Sequence, residues 1–226
     1  GLLVPIGAIG AAFALYYLGD QVAYGQPLLT LLTIGCGFVA IFLLDINMTA
    51  PHRIYRDYLA RTFISLDPLG NQTAPATPPR IPLKNINSSG FAPYHLINAV
   101  VNLPSSGDTK LRERRSDFYM FSKAWSGAPS IGYHKSGDWQ SNEGPVDLAT
   151  AMAVSGAAAS SHMGAASVPS LSALLTLLNV RLGYWIRQPS HGKGSLIPGF
   201  HCLMREMLGI GMMEKSSWIN LSDGGH

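Results

Sequence analysis

The residues best suited to chemistry in this 226-residue chain stand where Trp218-Ile219-Asn220-Leu221 runs into Ser222-Asp223-Gly224-Gly225-His226. The branched and aromatic composition of 218–221 predicts a strand. An aspartate just beyond it lies at the strand's C-terminal edge, where the functional groups of open α/β sheets collect. Gly224 and Gly225 let the backbone turn tightly and leave the carboxylate unobstructed. Held there, Asp223 has the chemistry of a general base: it can take the proton of a serine hydroxyl as that oxygen attacks an ester. Asp and Gly are also common turn residues, so on local chemistry alone the tripeptide reads first as a turn.

A base needs a nucleophile, and the sequence offers poor ones. No Gly-x-Ser-x-Gly elbow and no glycine-rich oxyanion loop occurs in it. Ser126 in Ala-Trp-Ser-Gly-Ala and Ser155 in Ala-Val-Ser-Gly-Ala lack the flanking glycines, and Ser155 reads as a packing residue of an Ala-rich helix. His95, His134, His162, His191 and His201 show no metal-ligand spacing. Cys36 and Cys202 form no Cys-x-x-Cys pair and read as buried thiols. No cofactor and no metal is expected. Gly192-Lys193-Gly194-Ser195 lacks the junction of a phosphate loop and reads as a turn. A net charge of +3 and a pI near 8.9 are too mild to call for nucleic acid.

The elements that must position Asp223 follow from patterning. Strands are expected over 94–103 and 117–123, with a charged surface turn over 109–116 and a Gly/Ser/Pro-rich loop over 125–145. Helices are expected over 147–164, N-capped by Asp147, over 170–182, capped by Ser170, and over part of 205–213. Charged residues make up 13% of the chain, against about 25% in ordinary soluble domains. That deficit is concentrated in two uncharged runs, 1–18 and 28–44, which approach the ~20 residues a membrane-spanning helix requires and predict a transmembrane hairpin. Beyond it, His52, Arg53, Arg56 and Arg61 alternate with Tyr55, Tyr58 and Phe63. By the positive-inside rule this end is cytoplasmic, either lying along the headgroups or forming a solvated helix. The expected division is a hairpin with its basic flank over 1–64, a Pro/Gly-rich linker over 65–90, and a soluble region over 91–226.

The run Met152-Ala153-Val154-Ser155-Gly156-Ala157-Ala158, then Asn179-Val180-Arg181-Leu182-Gly183-Tyr184-Trp185, then Leu221-Ser222-Asp223-Gly224-Gly225 resembles the second half of patatin-like and cytosolic phospholipase A2-like acyl hydrolases. The resemblance covers about residues 90–226 and looks like that of large bacterial membrane proteins carrying such a domain. It implies the C-terminal part of an α/β three-layer sandwich behind a membrane hairpin. It implies a Ser–Asp dyad with Asp223 as the base, Gly224 and Gly225 shaping its motif, and a nucleophilic serine upstream of residue 1. His226 takes no catalytic part in that scheme. The implied substrate is a membrane lipid and the implied surroundings are a bilayer, the bacterial inner membrane, with the soluble part cytoplasmic. A membrane-tethered noncatalytic scaffold or transporter segment is the alternative.

Overall fold

Short runs of branched and aromatic residues, divided by turn residues, build a sheet of eight strands. The computed structural model describes residues 16–20, 28, 31–32, 34–35, 45–64, 77–86, 93–141, 143–157, 183–191 and 197–223. In chain order the strands are β1 Leu96–Asn102, β2 Ser116–Ser122, β3 Trp125–Ala128, β4 Gly132–Lys135, β5 Gln140–Ser141, β6 Gly144–Pro145, β7 Tyr184–Arg187 and β8 Trp218–Asp223. Their order across the curled sheet is β4-β3-β2-β1-β8-β7-β5-β6, with antiparallel pairing throughout. Helices α1 Ile46–Thr49, α2 His52–Phe63, α3 Thr109–Arg114, α4 Leu148–Ser155 and α5 Phe200–Leu208 accompany it.

The α/β three-layer sandwich expected from the sequence is therefore corrected. Parallel neighbours need a crossover of about a dozen residues or more, usually a helix. Here β2, β3 and β4 follow one another through short turns, as do β5 and β6, and such connections leave only antiparallel pairing. Residues 125–145, expected as a loop, fold into the four short strands β3–β6. The charged turn expected over 109–116 is mostly α3, opened by the Asp108 carboxylate accepting the Lys110 N–H at 2.8 Å and closed by Arg115 at φ 61°. The strands expected over 94–103 and 117–123 are β1 and β2, and the Asp147-capped helix is α4. The helix expected within 205–213 begins earlier, at Phe200. The helix expected over 170–182 lies outside the described residues.

The transmembrane hairpin expected over 1–18 and 28–44 has no counterpart in the described structure. Among the described residues no helix is long and apolar enough to cross a membrane. Most of 1–18 and 28–44 lies outside the described residues. The basic stretch that follows packs by one face on the sheet domain. His52, Arg56 and Ala60 recur at four-residue spacing, fall on one face of α2, and are buried. Ala60 and Ile64 meet Ala149 of α4. Gly156 permits the close approach of Tyr55, whose hydroxyl oxygen would stand 2.7 Å from a Cβ at that position.

One sheet face, with Ala99, Val101, Tyr119, Phe121, Ile219 and Leu221, packs against Ala151 and Val154 of α4 and against Trp139. The opposite face at β7–β8 packs Trp185 and Trp218 against Cys202 and Leu203 of α5. The β3–β4 hairpin depends on Gly127, at φ 151°, where a Cβ would clash with the Gly132 carbonyl and stand 2.8 Å from Tyr133 Cα. Both obstacles are backbone, so neither can turn aside. Gly127→Ala is expected to lower stability by about 1–3 kcal/mol, read as a drop in the urea midpoint at unchanged m-value. An unchanged midpoint would contradict the close β3–β4 approach.

Candidate functional site

β8 lies between β1 and β7, and its first five residues are buried while Asp223 is half-buried. The strand thus carries a carboxylate from the middle of the sheet to its rim. In register, Ala99 faces Asp223, Val101 faces Leu221, and Tyr184 faces Leu221 from the other side. Because side chains alternate, Asp223 shares the face of Ile219 and Leu221, which is the face that α4 covers. Sequence reasoning placed Asp223 at the C-terminal edge of parallel strands. In this antiparallel sheet the same rim instead holds the N-terminal ends of β1 and β7, so the rule for parallel sheets gives no support here. Gly224, Gly225 and His226 lie outside the described residues.

No family model, curated protein or solved structure matches the chain.

The serines weighed as nucleophiles sit differently. Ser155 is the last residue of α4 and is half-buried. Ser126 is fully buried: its hydroxyl accepts the Ser122 N–H at 3.3 Å and lies 2.8 Å from the Ser136 hydroxyl, which donates to the Ser122 carbonyl at 2.6 Å. That network ties the β2–β3 turn to the end of β4 and gives no substrate access to Oγ. Cys202 and His201 form a second nucleophile–base geometry, Sγ to Nε2 3.3 Å. Burial, and then the Arg205 cation, lower the His201 pKa and favour a neutral ring. Cys202 is nevertheless fully buried, which closes the sulfur to solutes.

Two polar constellations were missed by sequence reasoning. In the first, Arg56 Nη2 meets Asp147 Oδ2 at 2.5 Å, Nη1 meets Asp57 Oδ1 at 2.6 Å, and Nε donates to Thr150 Oγ1 at 3.2 Å. Burial opposes the guanidinium charge, but the Asp147 and Asp57 carboxylates outweigh it, and the Arg56 pKa is raised. Asp147 also caps α4, accepting the Thr150 N–H at 2.8 Å, so one carboxylate joins α2 to the start of α4. The capping role was legible in the sequence, whereas its cation was read as a membrane flank.

Beside this clamp, Asp45, Asn47, His52, Arg53, Glu143 and Tyr184 line a small cleft. Its ionic groups answer one another: Glu143 takes Arg80 at 2.5 Å and Arg53 at 3.8 Å. The His52 ring lies 4.4 Å from that of Tyr184, whose phenol is held far above its ordinary pKa by burial, countered by a hydrogen bond with Ser141. Asn47 donates Nδ2–H to the Trp185 carbonyl at 2.7 Å and accepts the Trp185 N–H at 3.1 Å, serving β7 as a neighbouring strand would. Among the described residues no group of three His, Cys, Asp or Glu is placed to hold a metal. This arrangement locks α1 and α2 to the sheet.

The second constellation centres on Glu206 of α5, fully buried, which accepts Trp185 Nε1–H at 2.9 Å and Asn220 Nδ2–H at 3.2 Å. Asn220 in turn accepts Asn102 Nδ2–H at 2.7 Å. The chain of contacts runs from α5 through β7 and β8 to β1, and it fixes the strand that ends in Asp223. Only the Glu206 side chain's position on the inner face of α5, with Cys202 and Leu203, carried a trace of this in the sequence.

Proposed function

We propose that Asp223 is the general base of a serine-dependent lipid ester hydrolase. The observation that carries this reading is the placement of the carboxylate: half-buried at the rim, on a strand whose preceding residues are buried. Fixed against the Asn102–Asn220–Glu206 network, β8 has little freedom to move, and a base must be held within hydrogen-bond reach of its proton. The order of the Ala-rich helix, the Asn-Val-Arg-Leu-Gly stretch and the Asp-Gly-Gly motif supports the same assignment through its resemblance to patatin-like hydrolases. In the reaction the serine Oγ bonds to the ester carbonyl carbon as its proton passes to Asp223. Collapse of the tetrahedral adduct then expels the alcohol, which takes up that proton, and water releases the fatty acid.

A noncatalytic binding scaffold is the competing reading, and the antiparallel sheet favours it by removing the strand-edge argument. Ester hydrolysis separates the two. In the intact protein, Asp223→Asn is expected to lower kcat for a long-chain fluorogenic ester by about 10³-fold, within the usual range for general-base catalysis, while leaving the melting temperature in place. Undiminished turnover would remove Asp223 from the chemistry and leave the scaffold.

A further inference from the structure

We propose that the exposed apolar side chains on one face of strands β1–β4 dock on an anionic lipid bilayer. This rests on the composition of that face and stands apart from the Asp223 reading. The register sets Val100 opposite Phe118, Asn98 opposite Met120, Met120 opposite Gly127, Gly127 opposite Tyr133 and Trp125 opposite Lys135. Leu96, Phe118, Met120, Trp125 and Tyr133 therefore project from the same side, because directly paired residues share a face. Among the described residues, helix α5 covers the β7–β8 part of that side, through Glu206 with Trp185 and Asn220. Over β1–β4 four large side chains on this face stand open, Leu96 59% exposed, Phe118 62%, Trp125 50% and Tyr133 46%, while Val100 and Ser122 between them are buried. A contiguous apolar surface of this kind marks a place of association.

Its charges select the partner. Arg114 lies with its guanidinium carbon 5.7 Å from the Phe118 ring centre, and Lys135 stands beside Trp125 at the far edge. None of the strand residues on this face is acidic. Asp117, which pairs with Arg114 at 2.9 Å, is buried and alternates onto the core side with Val101. Glu113 shares the short α3 with Lys110, Arg112 and Arg114, leaving that helix cationic. Gly127, opposite Met120 at the centre, contributes no side chain to this face. Exposed apolar area with Trp and Tyr, bordered by cations at two ends, is the chemistry that partitions at a headgroup–acyl boundary.

The test uses a built-in reporter. Of the four tryptophans in the chain, Trp139, Trp185 and Trp218 are buried at 0%, 0% and 3% exposure, so Trp125 alone meets solvent. Added phosphatidylcholine vesicles containing phosphatidylserine should shift the emission to the blue, and brominated acyl chains should quench it. Two cations predict binding about thirtyfold tighter than to pure phosphatidylcholine. The double variant Phe118→Ser, Tyr133→Ser should weaken binding at least about tenfold with an unchanged melting temperature, since both side chains are exposed. Vesicle-bound protein whose Trp125 remains unquenched is attached by another segment, and that would overturn the proposal. Equal affinity without phosphatidylserine would overturn it too, as would full binding by the double variant or a concentration-dependent dimer that hides Trp125 without lipid.

Discussion

Asp147→Ala is expected to remove about 3–5 kcal/mol of stability, the cost of leaving one partner of a buried ion pair uncompensated. The Arg56 side chain is 4% exposed and that of Asp147 7%, so water cannot replace the lost carboxylate. Asp57 remains 2.6 Å from the guanidinium, but its side chain is 30% exposed and lies on the solvent side of the pair. The substitution also strips the cap from α4, whose Thr150 N–H then has no side-chain acceptor. Arg56→Met with Asp147→Asn is the informative companion. Asparagine still caps the helix, methionine fills the channel of the arginine stem, and no buried charge is stranded. The double variant should regain most of the loss, giving a large coupling energy in a double-mutant cycle from urea midpoints. A loss below about 1 kcal/mol for Asp147→Ala would mean that the pair is solvated in solution, as exposed pairs are.

Glu206→Ala should cost about 2–4 kcal/mol, because an acceptor is lost and two buried donors, Trp185 Nε1–H and Asn220 Nδ2–H, are left without it. Glu206→Gln keeps one oxygen facing those donors and should lose less than half as much. The damage should be local to the α5–β7–β8 junction: Trp185, under the Arg205 guanidinium at 5.9 Å, would report it as an altered near-ultraviolet signal. Equal stability of the alanine variant and the parent would show that the network does not hold β8.

What the sequence disclosed and what it hid have physical causes. β1, β2 and β8 were legible because each is a run rich in branched and aromatic residues, such as Val100-Val101 and Phe118 to Phe121, whatever the burial of its single members. The start of α4 was legible because Asp147 is a capping residue immediately before an alanine run. β3 to β6 were not, since strands of two to four residues carrying Gly127, Gly132, Gly144 and Pro145 have the composition of turns. Strand direction was beyond reach: β8 pairs with β1 across more than a hundred residues, and nothing local to Trp218–Asp223 states which way its neighbour runs. Arg56 misled for a related reason. An arginine among tyrosines looks like a headgroup anchor until its long-range partner, Asp147, is known.

The central claim is that the Asp223 carboxylate activates a serine hydroxyl, and the most direct measurement is the rate at which a long-chain fluorophosphonate labels the intact protein. The expected result is a single covalent adduct on a serine, forming about 10²–10⁴-fold more slowly in Asp223→Asn, with both proteins melting at the same temperature. Labelling at equal rates in the two proteins, or the absence of any serine adduct in the parent, would contradict it.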